Sequence, residues 1–249
     1  MKMRPRILVT NDDGIHGPGL RPLIAAMQRI GRVITVVPDQ ERSADSHCLT
    51  LHKPIRVHTL APDLYTVNGS PADCTRFGVL WVMKSKVDIV VSGINRGYNL
   101  GEDIIYSGTV AAAREARILG VPAIAFSQDP DDASYAAATA FAYKLARLTL
   151  RHGLPKGVIL NVNFPPSRRG KTAGAKVVRL GRRIYSNSIS RRSDPRGKVY
   201  YWLGGKGVKW IEVPGTDVSA ISSGKISVTP LHLDQTENSI IDAVNDWGL

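Results

Sequence analysis

The sequence has 249 residues, 43% of them hydrophobic and 22% charged, which is enough to bury a large α/β core with or without an appendage. Two isolated cysteines and six scattered histidines exclude a disulfide framework and argue against a zinc enzyme. A first apolar run of only four residues, and no window near eighteen, predict a soluble cytoplasmic protein without a membrane partner.

The first predicted element is a buried strand, residues 7–10, which ends at Asn11 and two carboxylates, Asp12 and Asp13. Central strands of a parallel sheet are continuously apolar, and ligands collect beyond their carboxyl ends. Carboxylate and amide oxygens suit a hard cation such as Mg²⁺ or Mn²⁺. The alternative is that this stretch is only a turn, because such residues tolerate a left-handed backbone.

A strand–helix–strand unit is completed by the residues that follow. Apolar residues recur at helical spacing between residues 18 and 27, and residues 33–37 predict a second buried strand. The polar loop 38–46 then lies at the same edge of the sheet as Asp12. Ser43 in this loop is therefore a candidate ligand.

The next elements are a predicted edge hairpin, with strands at 55–60 and 64–67, and a helix from residue 72 to about residue 83. A buried strand at 88–92 then leads into the loop 93–101, which contains three glycines and Asn95. Because glycine lacks a side chain, the backbone of this loop can approach a ligand closely.

An anion site is predicted where this loop leads into the alanine-rich helix 110–119, just after Ser107, Gly108 and Thr109. Either Ser107 or Thr109 caps the helix. Free amides at a helix N-terminus, next to hydroxyls and the positive end of the helix dipole, bind anions readily.

Two further strands, 121–127 and 158–164, flank a long amphipathic helix, 133–152, and 158–164 is expected to be the last core strand. These patterns divide the chain into a core at 1–166, a basic β-hairpin extension at 167–212 and a C-terminal arm at 213–249.

The basic extension carries the net charge of +12, because residues 168–209 hold thirteen lysines or arginines and the single acid Asp194. A polyanionic partner and a solvated hairpin explain this equally well. Residues 176–180 and 198–203 are predicted to pair as the hairpin, joined by 186–197. Four aromatic residues either stack on bases or, as we favour, form cross-strand aromatic pairs. They are Tyr200, Tyr201, Trp202 and Trp210.

The arm at 213–249 contains a predicted strand, 225–233, and a short helix, 236–247. The helix is too short to be stable alone, so its apolar stripe must dock on this chain or on another. The stripe consists of Ile240, Ile241, Val244 and Trp247.

Three loops thus converge at one sheet edge and pair a cation site with an anion site. Asp12, Asp13, Ser43 and Asn95 would bind one divalent cation, and residues 107–109 would bind an anion beside it. That pairing predicts water attack on a phosphomonoester, because the cation activates water and polarises a phosphoryl oxygen. No P-loop or dinucleotide motif is present. The alternative is a non-catalytic module that binds nucleotides or RNA through the basic hairpin.

Five short motifs between residue 6 and about residue 127 occur together in one known order. They are Asn11-Asp12-Asp13-Gly14, Arg42-Ser43, Ser92-Gly93-Ile94-Asn95, Asn99-Leu100-Gly101 and Tyr106-Ser107-Gly108-Thr109-Val110. With these motifs the sequence resembles the SurE survival-protein family.

This resemblance implies a Rossmann-like nucleotidase that hydrolyses nucleoside 5′- and 3′-monophosphates with Mg²⁺ or Mn²⁺, often with polyphosphate as a further substrate. It also implies a homodimer or homotetramer that exchanges C-terminal segments. The family's metal ligands map onto Asp12, Asp13, Ser43 and Asn95. Where the family has glycine and a small residue, this sequence has Ala44 and Asp45. An extra carboxylate there is expected to affect metal preference and the fit of the phosphate.

Overall fold

A computed structural model of the chain describes residues 4–167, 172–184, 189–203 and 209–248. Thirteen β-strands lie in these ranges, and nine of them form one sheet in the order β3-β4-β2-β1-β5-β6-β7-β13-β8. Neighbouring strands are parallel except in the pairs β3–β4 and β7–β13. The strands are β1 (Arg6–Thr10), β2 (Arg32–Pro38), β3 (Val57–Ala61), β4 (Leu64–Val67), β5 (Ile89–Arg96), β6 (Ala123–Gln128), β7 (Val158–Phe164), β8 (Ala175–Val177), β9 (Arg182–Ile184), β10 (Ile189–Ser193), β11 (Val199–Leu203), β12 (Lys209–Ile211) and β13 (Ile226–His232).

Helices cover both faces of this sheet, which confirms the predicted α/β class. Helices α1 and α4 pack on one apolar face, and α2 and α3 pack on the other. Central strands are buried on both faces, as continuous apolar runs require. The helices are α1 (Leu20–Gln28), α2 (Pro71–Arg76), α3 (Gly108–Ile118), α4 (Ala136–His152), α5 (Asp217–Ser222) and α6 (Ile241–Asn245), with a π-helical turn at Phe77–Val82 and 3₁₀ turns at Gly101–Ile105 and Asn238–Ile240.

Strand β5 is longer than predicted and includes the start of the glycine loop. It continues to Arg96, with an irregularity in its pairing to β6 between Ser92 and Asn95. Gly93 makes this possible, because it has a φ of +119° and a Cβ there would lie 2.2 Å from the carbonyl oxygen of Phe126. The strand therefore delivers Asn95 directly to the edge of the sheet.

The predicted pairing of the basic extension is wrong. Strand β8, from the predicted segment 176–180, pairs with β13 in the main sheet. Strand β11 pairs instead with β10, which lies in the stretch that was assigned to the connection. The two strands are joined by a tight turn in which the Asp194 carboxylate accepts the amides of Arg196 and Lys198.

Aromatic residues of the extension face basic or polar partners rather than each other. Tyr200 and Tyr201 lie opposite Arg192 and Arg191, and Trp202 lies opposite Ser190. The predicted cross-strand aromatic pairs are therefore wrong for β10 and β11. These strands are too short and too exposed to carry a periodic pattern that fixes their partners.

Strand β13 of the predicted C-terminal arm lies inside the central sheet, antiparallel to β7. Strand β7 is thus not the last strand of the core. Beyond β13 the chain leaves the sheet, and no residue of α6 or of the 3₁₀ turn before it is buried. In the described ranges, no helix has the length and apolarity needed to cross a membrane.

Candidate cation and anion site

Asp12 lies directly after β1 and is buried, with 4% of its surface exposed. Its Oδ1 accepts a 2.5 Å hydrogen bond from the Thr109 hydroxyl at the start of α3. Burial raises the pKa of Asp12 to about 6, although the bond from Thr109 opposes this rise, and the charge of Asp13 adds to it. Asp12 is thus a carboxylate whose ionised form needs a positive partner.

Asp13 is partly buried and lies beside the end of β5. Burial raises its pKa, while the backbone of Arg96 hydrogen-bonds the carboxylate and lowers it, and the nearby charge of Glu41 raises it again. Its Oδ2 is buried and has no hydrogen-bond partner among the described residues. A bound cation would satisfy this oxygen.

The Asn11 side chain stabilises the turn after β1, so for this one residue the structure supports the alternative that the stretch is only a turn. Its side-chain amide donates to the Gly14 carbonyl oxygen at 2.8 Å. Its Oδ1, however, is buried without a partner in the described part of the chain, as are the hydroxyls of Thr10 and Ser92 nearby on β1 and β5. The edge of the sheet therefore holds several unpaired buried oxygens, a donor set that fits Mg²⁺ or Mn²⁺.

The Ser43 loop reaches the site through its backbone. The amide of Arg42 donates to the carbonyl oxygen of Asp12 at 2.8 Å. The Ser43 hydroxyl is exposed and donates to Glu41 at 2.7 Å rather than to either aspartate. Ala44 has a φ of +62°, a left-handed conformation that favours glycine and explains the glycine that the SurE resemblance leads us to expect at this position.

Asn95 also lies at this edge, next to the backbone that contacts Asp13. It is partly buried, and its side-chain amide donates to the Gly97 carbonyl oxygen at 2.9 Å. That bond orients the side chain and leaves the Oδ1 atom as the acceptor that would serve a cation.

The N-terminus of α3 completes the site. Ser107 is the cap, since its hydroxyl accepts the amide of Val110, and Thr109 is used for the contact with Asp12 instead. Gly108 is required here, because a Cβ would lie 2.9 Å from the Asp12 Cβ and 3.0 Å from Pro71. The helix start is thus in direct contact with the candidate cation ligand.

Sequence reasoning missed two groups of residues at this edge. Glu41 accepts a hydrogen bond from Ser43, and its charge raises the pKa of Asp13; a carboxylate two positions before the serine could have pointed to it. The second group supports the loop after β5: Asn161 and Asn163 both donate to the Asn99 carbonyl oxygen, and Asn99 donates to Ser127. Asparagines on one face of an otherwise apolar strand, β7, were the signal for this group.

The described residues contain no cluster of three or more His, Cys, Asp or Glu placed to hold a metal. The candidate site does not require such a cluster, because two of its proposed ligands are the Ser43 hydroxyl and the Asn95 side-chain amide. The fold and site together define an α/β protein with an oxygen-rich candidate cation site beside a helix N-terminus, at the carboxyl edge of a parallel sheet.

Comparisons with known proteins identify the family. The model of the survival protein SurE family matches residues 7–187, so the chain belongs to the SurE family. A relative from Geobacter sulfurreducens named 5′-nucleotidase SurE is 46% identical over 98% of this chain and 94% of its own length. One of the same name from Thermoanaerobacter is 43% identical over 98% of each chain. The crystal structure of the SurE protein from Aquifex aeolicus matches with a TM-score of 0.86 and 38% identity, over 98% of this chain and 100% of that one.

Proposed function

We propose that this protein is a nucleotidase, a phosphomonoesterase that hydrolyses nucleoside 5′- and 3′-monophosphates to nucleoside and phosphate. The contact between Asp12 and Thr109 carries the proposal, since it places a carboxylate that needs a cation against the helix start that would bind an anion. The names of the relatives, 5′-nucleotidase SurE, support the same substrate class.

One divalent cation, Mg²⁺ or Mn²⁺, is the proposed cofactor, held by Asp12 and Asp13 with Asn95 and Ser43. When bound, such a cation polarises a phosphoryl oxygen and lowers the pKa of a bound water. Thr109 keeps Asp12 oriented through its hydroxyl. Ser43 must turn away from Glu41 to serve as a ligand, so its role rests on a change of rotamer.

The substrate phosphate is proposed to bind at the N-terminus of α3. The first amides of a helix have no partner within the helix, and the Ser107 hydroxyl lies beside them. We propose that Asn95 contacts both the cation and the phosphate.

Phosphate release from nucleoside monophosphates tests the proposal. The purified protein should release phosphate with Mg²⁺ or Mn²⁺, and a chelator should abolish the activity because the carboxylates alone cannot activate water. Binding of nucleotides without release of phosphate would support the competing function, a module that holds nucleotides or RNA.

Substitutions at the start of α3 are expected to weaken phosphate binding in two distinguishable ways. Ser107→Ala should raise the inhibition constant of inorganic phosphate and cost about 1 kcal/mol of stability through the lost cap. Gly108→Val should also lower the apparent affinity for the cation, because its side chain would displace Asp12.

The matched comparison is Ser107→Thr, which keeps both the hydroxyl and the cap. Inhibition by phosphate, measured across a series of Mn²⁺ concentrations, separates the two effects. Unchanged inhibition in both Ser107→Ala and Gly108→Val would count against this location for the phosphate.

Polyphosphate is proposed as a further substrate, drawn to the basic extension. Arg191 and Arg192 are exposed, so replacing both by glutamine should reduce polyphosphate turnover about tenfold at low salt, and its salt sensitivity with it. Turnover of mononucleotides should change little. Arg182 and Arg183 are left intact, because Arg182 pairs with Glu102 at 3.8 Å and Arg183 pairs with Asp103 and stacks on Trp210, 4.6 Å from the ring centre.

Equal losses on polyphosphate and on mononucleotides would instead indicate a structural role for these arginines. Rates should be compared for both substrates at matched ionic strengths. A variant with Lys144 and Lys156 replaced by glutamine provides the charge control, since both lie outside the extension.

A homodimer or homotetramer is proposed as the working form. The described residues of α6 and its preceding 3₁₀ turn have no buried side chain, and Ile240, Ile241 and Trp247 are exposed. Burying each of these side chains would contribute about 1.5–3 kcal/mol. We therefore propose that a second chain covers the apolar stripe that they form.

A further inference from the structure

Asp217 is a fully buried carboxylate that lies outside the candidate site. It is the first residue of α5, and none of its surface is exposed. Its Oδ2 accepts the amide of Gly101 at 2.9 Å, and its Oδ1 accepts the amides of Gly181 at 2.6 Å and Val218 at 2.8 Å. One side chain therefore joins three segments that are far apart in the sequence.

The packing around this carboxylate requires glycine on both sides. A Cβ on Gly181 would lie 2.8 Å from the Asp217 Oδ1, and a Cβ on Gly101 would lie 3.0 Å from the Gly181 carbonyl oxygen. Gly101 also has a φ of +51°. Burial raises the pKa of Asp217, and the three amides oppose this rise. A carboxylate is retained in a buried place only when such donors satisfy it.

Gly101 begins the 3₁₀ turn that leads straight into the anion site. The amides of Tyr106 and Ser107 both donate to the Asp103 carbonyl oxygen at the centre of that turn. The same turn holds the Ser43 loop, because the Ser46 amide donates to Tyr106 and its hydroxyl donates to Ile105. The 3₁₀ turn therefore links the Ser43 loop to the N-terminus of α3.

A second contact holds this turn from the same side. The Arg183 guanidinium pairs with the Asp103 carboxylate, and the Arg183 amide donates to Glu102 at 2.6 Å. The segment 181–183 and α5 therefore support the turn together. None of these contacts reaches Asp12 or Asp13 directly.

We propose that Asp217 is a positioning residue, which holds the 3₁₀ turn so that the Ser107 cap and the Ser46 contact keep the phosphate-binding end of the site in place. The proposal rests on the proposed function for its effect on catalysis. Its effect on the position of the turn is independent of that function.

Asp217→Asn tests this role with a minimal change. The side-chain oxygen will stay on the side of Gly181 and Val218, where it accepts two bonds, so the new NH₂ group will face the Gly101 amide. The substitution therefore breaks the contact with Gly101, at the start of the 3₁₀ turn, but keeps the contact with Gly181 in the extension. We expect KM for a nucleoside monophosphate and the inhibition constant of phosphate to rise about tenfold. We expect kcat and the apparent Mn²⁺ affinity to change much less.

The matched control is Ser219→Ala. Ser219 completes the capping box of the same helix, and it contacts neither Gly101 nor Gly181. It should lower the melting temperature without altering KM or phosphate inhibition. Hydrogen exchange at residues 101–107 should rise in Asp217→Asn and stay unchanged in the control.

Unchanged KM, phosphate inhibition and hydrogen exchange in Asp217→Asn would overturn the proposal. If Asp217→Asn does not fold, Gly181→Ala disturbs the same carboxylate from the other side and is measured in the same way. If the wild type releases no phosphate from nucleotides, the proposed function fails, and hydrogen exchange at 101–107 alone then decides the positioning role.

Discussion

Replacing Asp12 or Asp13 by asparagine is expected to lower kcat by several orders of magnitude, because we propose that these carboxylates hold a cation that would activate water and neutralise the phosphate. The fold should survive. Asparagine at position 12 keeps an oxygen that can accept the Thr109 hydroxyl. It also removes a buried group whose pKa is raised to about 6 by burial, so the metal-free protein should melt at the same or a higher temperature.

Asp131→Asn is the matched control for this prediction. Asp131 is an exposed carboxylate in the loop after β6, at the same edge of the sheet, and its loss changes the charge equally. Steady-state kinetics at saturating Mn²⁺, with melting curves for all three variants, make the comparison. Activity within about tenfold of wild type for Asp12→Asn or Asp13→Asn would rule out that residue as a ligand.

Most of the central sheet could be predicted from the sequence, because its strands are buried on both faces and read as apolar runs. Strand β7 was predicted with the bounds that the structure has, Val158–Phe164. The same runs placed Asp12, Asp13 and Asn95 at one edge, since parallel strands end together. These predictions depend on local patterns alone, which is why they succeeded.

The contacts that assemble the site depend on tertiary packing and were harder to predict. A capping argument allowed Ser107 or Thr109, and only the position of β1 beside α3 shows that Thr109 contacts Asp12. The sequence did not indicate a role for Asp217, because a single acidic residue at the start of a short helix is common. Its importance comes from two distant glycines, which sequence spacing cannot bring together.

Strand partners in the C-terminal third could not be predicted for a related reason. Strand β13 reads as one more strand, yet its partner is β7, which is more than 60 residues away, and it runs antiparallel in a largely parallel sheet. Every residue of β10 and β11 is exposed, so no buried face fixes the register of these strands in advance. The pairing in both places is decided by the assembled core and by turn geometry.

The position of β13 determines how the proposed oligomer must be tested. A cut after Gly224 would remove β13, which buries Ile226, Val228 and Leu231 against the central sheet. At about 1.5–3 kcal/mol for each of the three side chains, the loss is comparable to the stability of a typical domain, about 5–15 kcal/mol. A chain cut there is expected to be unfolded, whatever its oligomeric state.

A cut after Leu233 is expected to keep the fold and abolish association. It preserves β13 and the bond from the Leu233 amide to Gly157 at 2.8 Å. It removes only the end of the arm, residues 234–249, whose Ile240, Ile241 and Trp247 are 52%, 44% and 74% exposed in the single chain. Because those side chains add little to the stability of one chain, the melting temperature should fall only as far as the lost interface requires. Light scattering is expected to show a monomer for the shortened chain and the proposed dimer or tetramer for the full chain. If the shortened chain and the full chain have the same oligomeric state, residues 234–249 are not the interface.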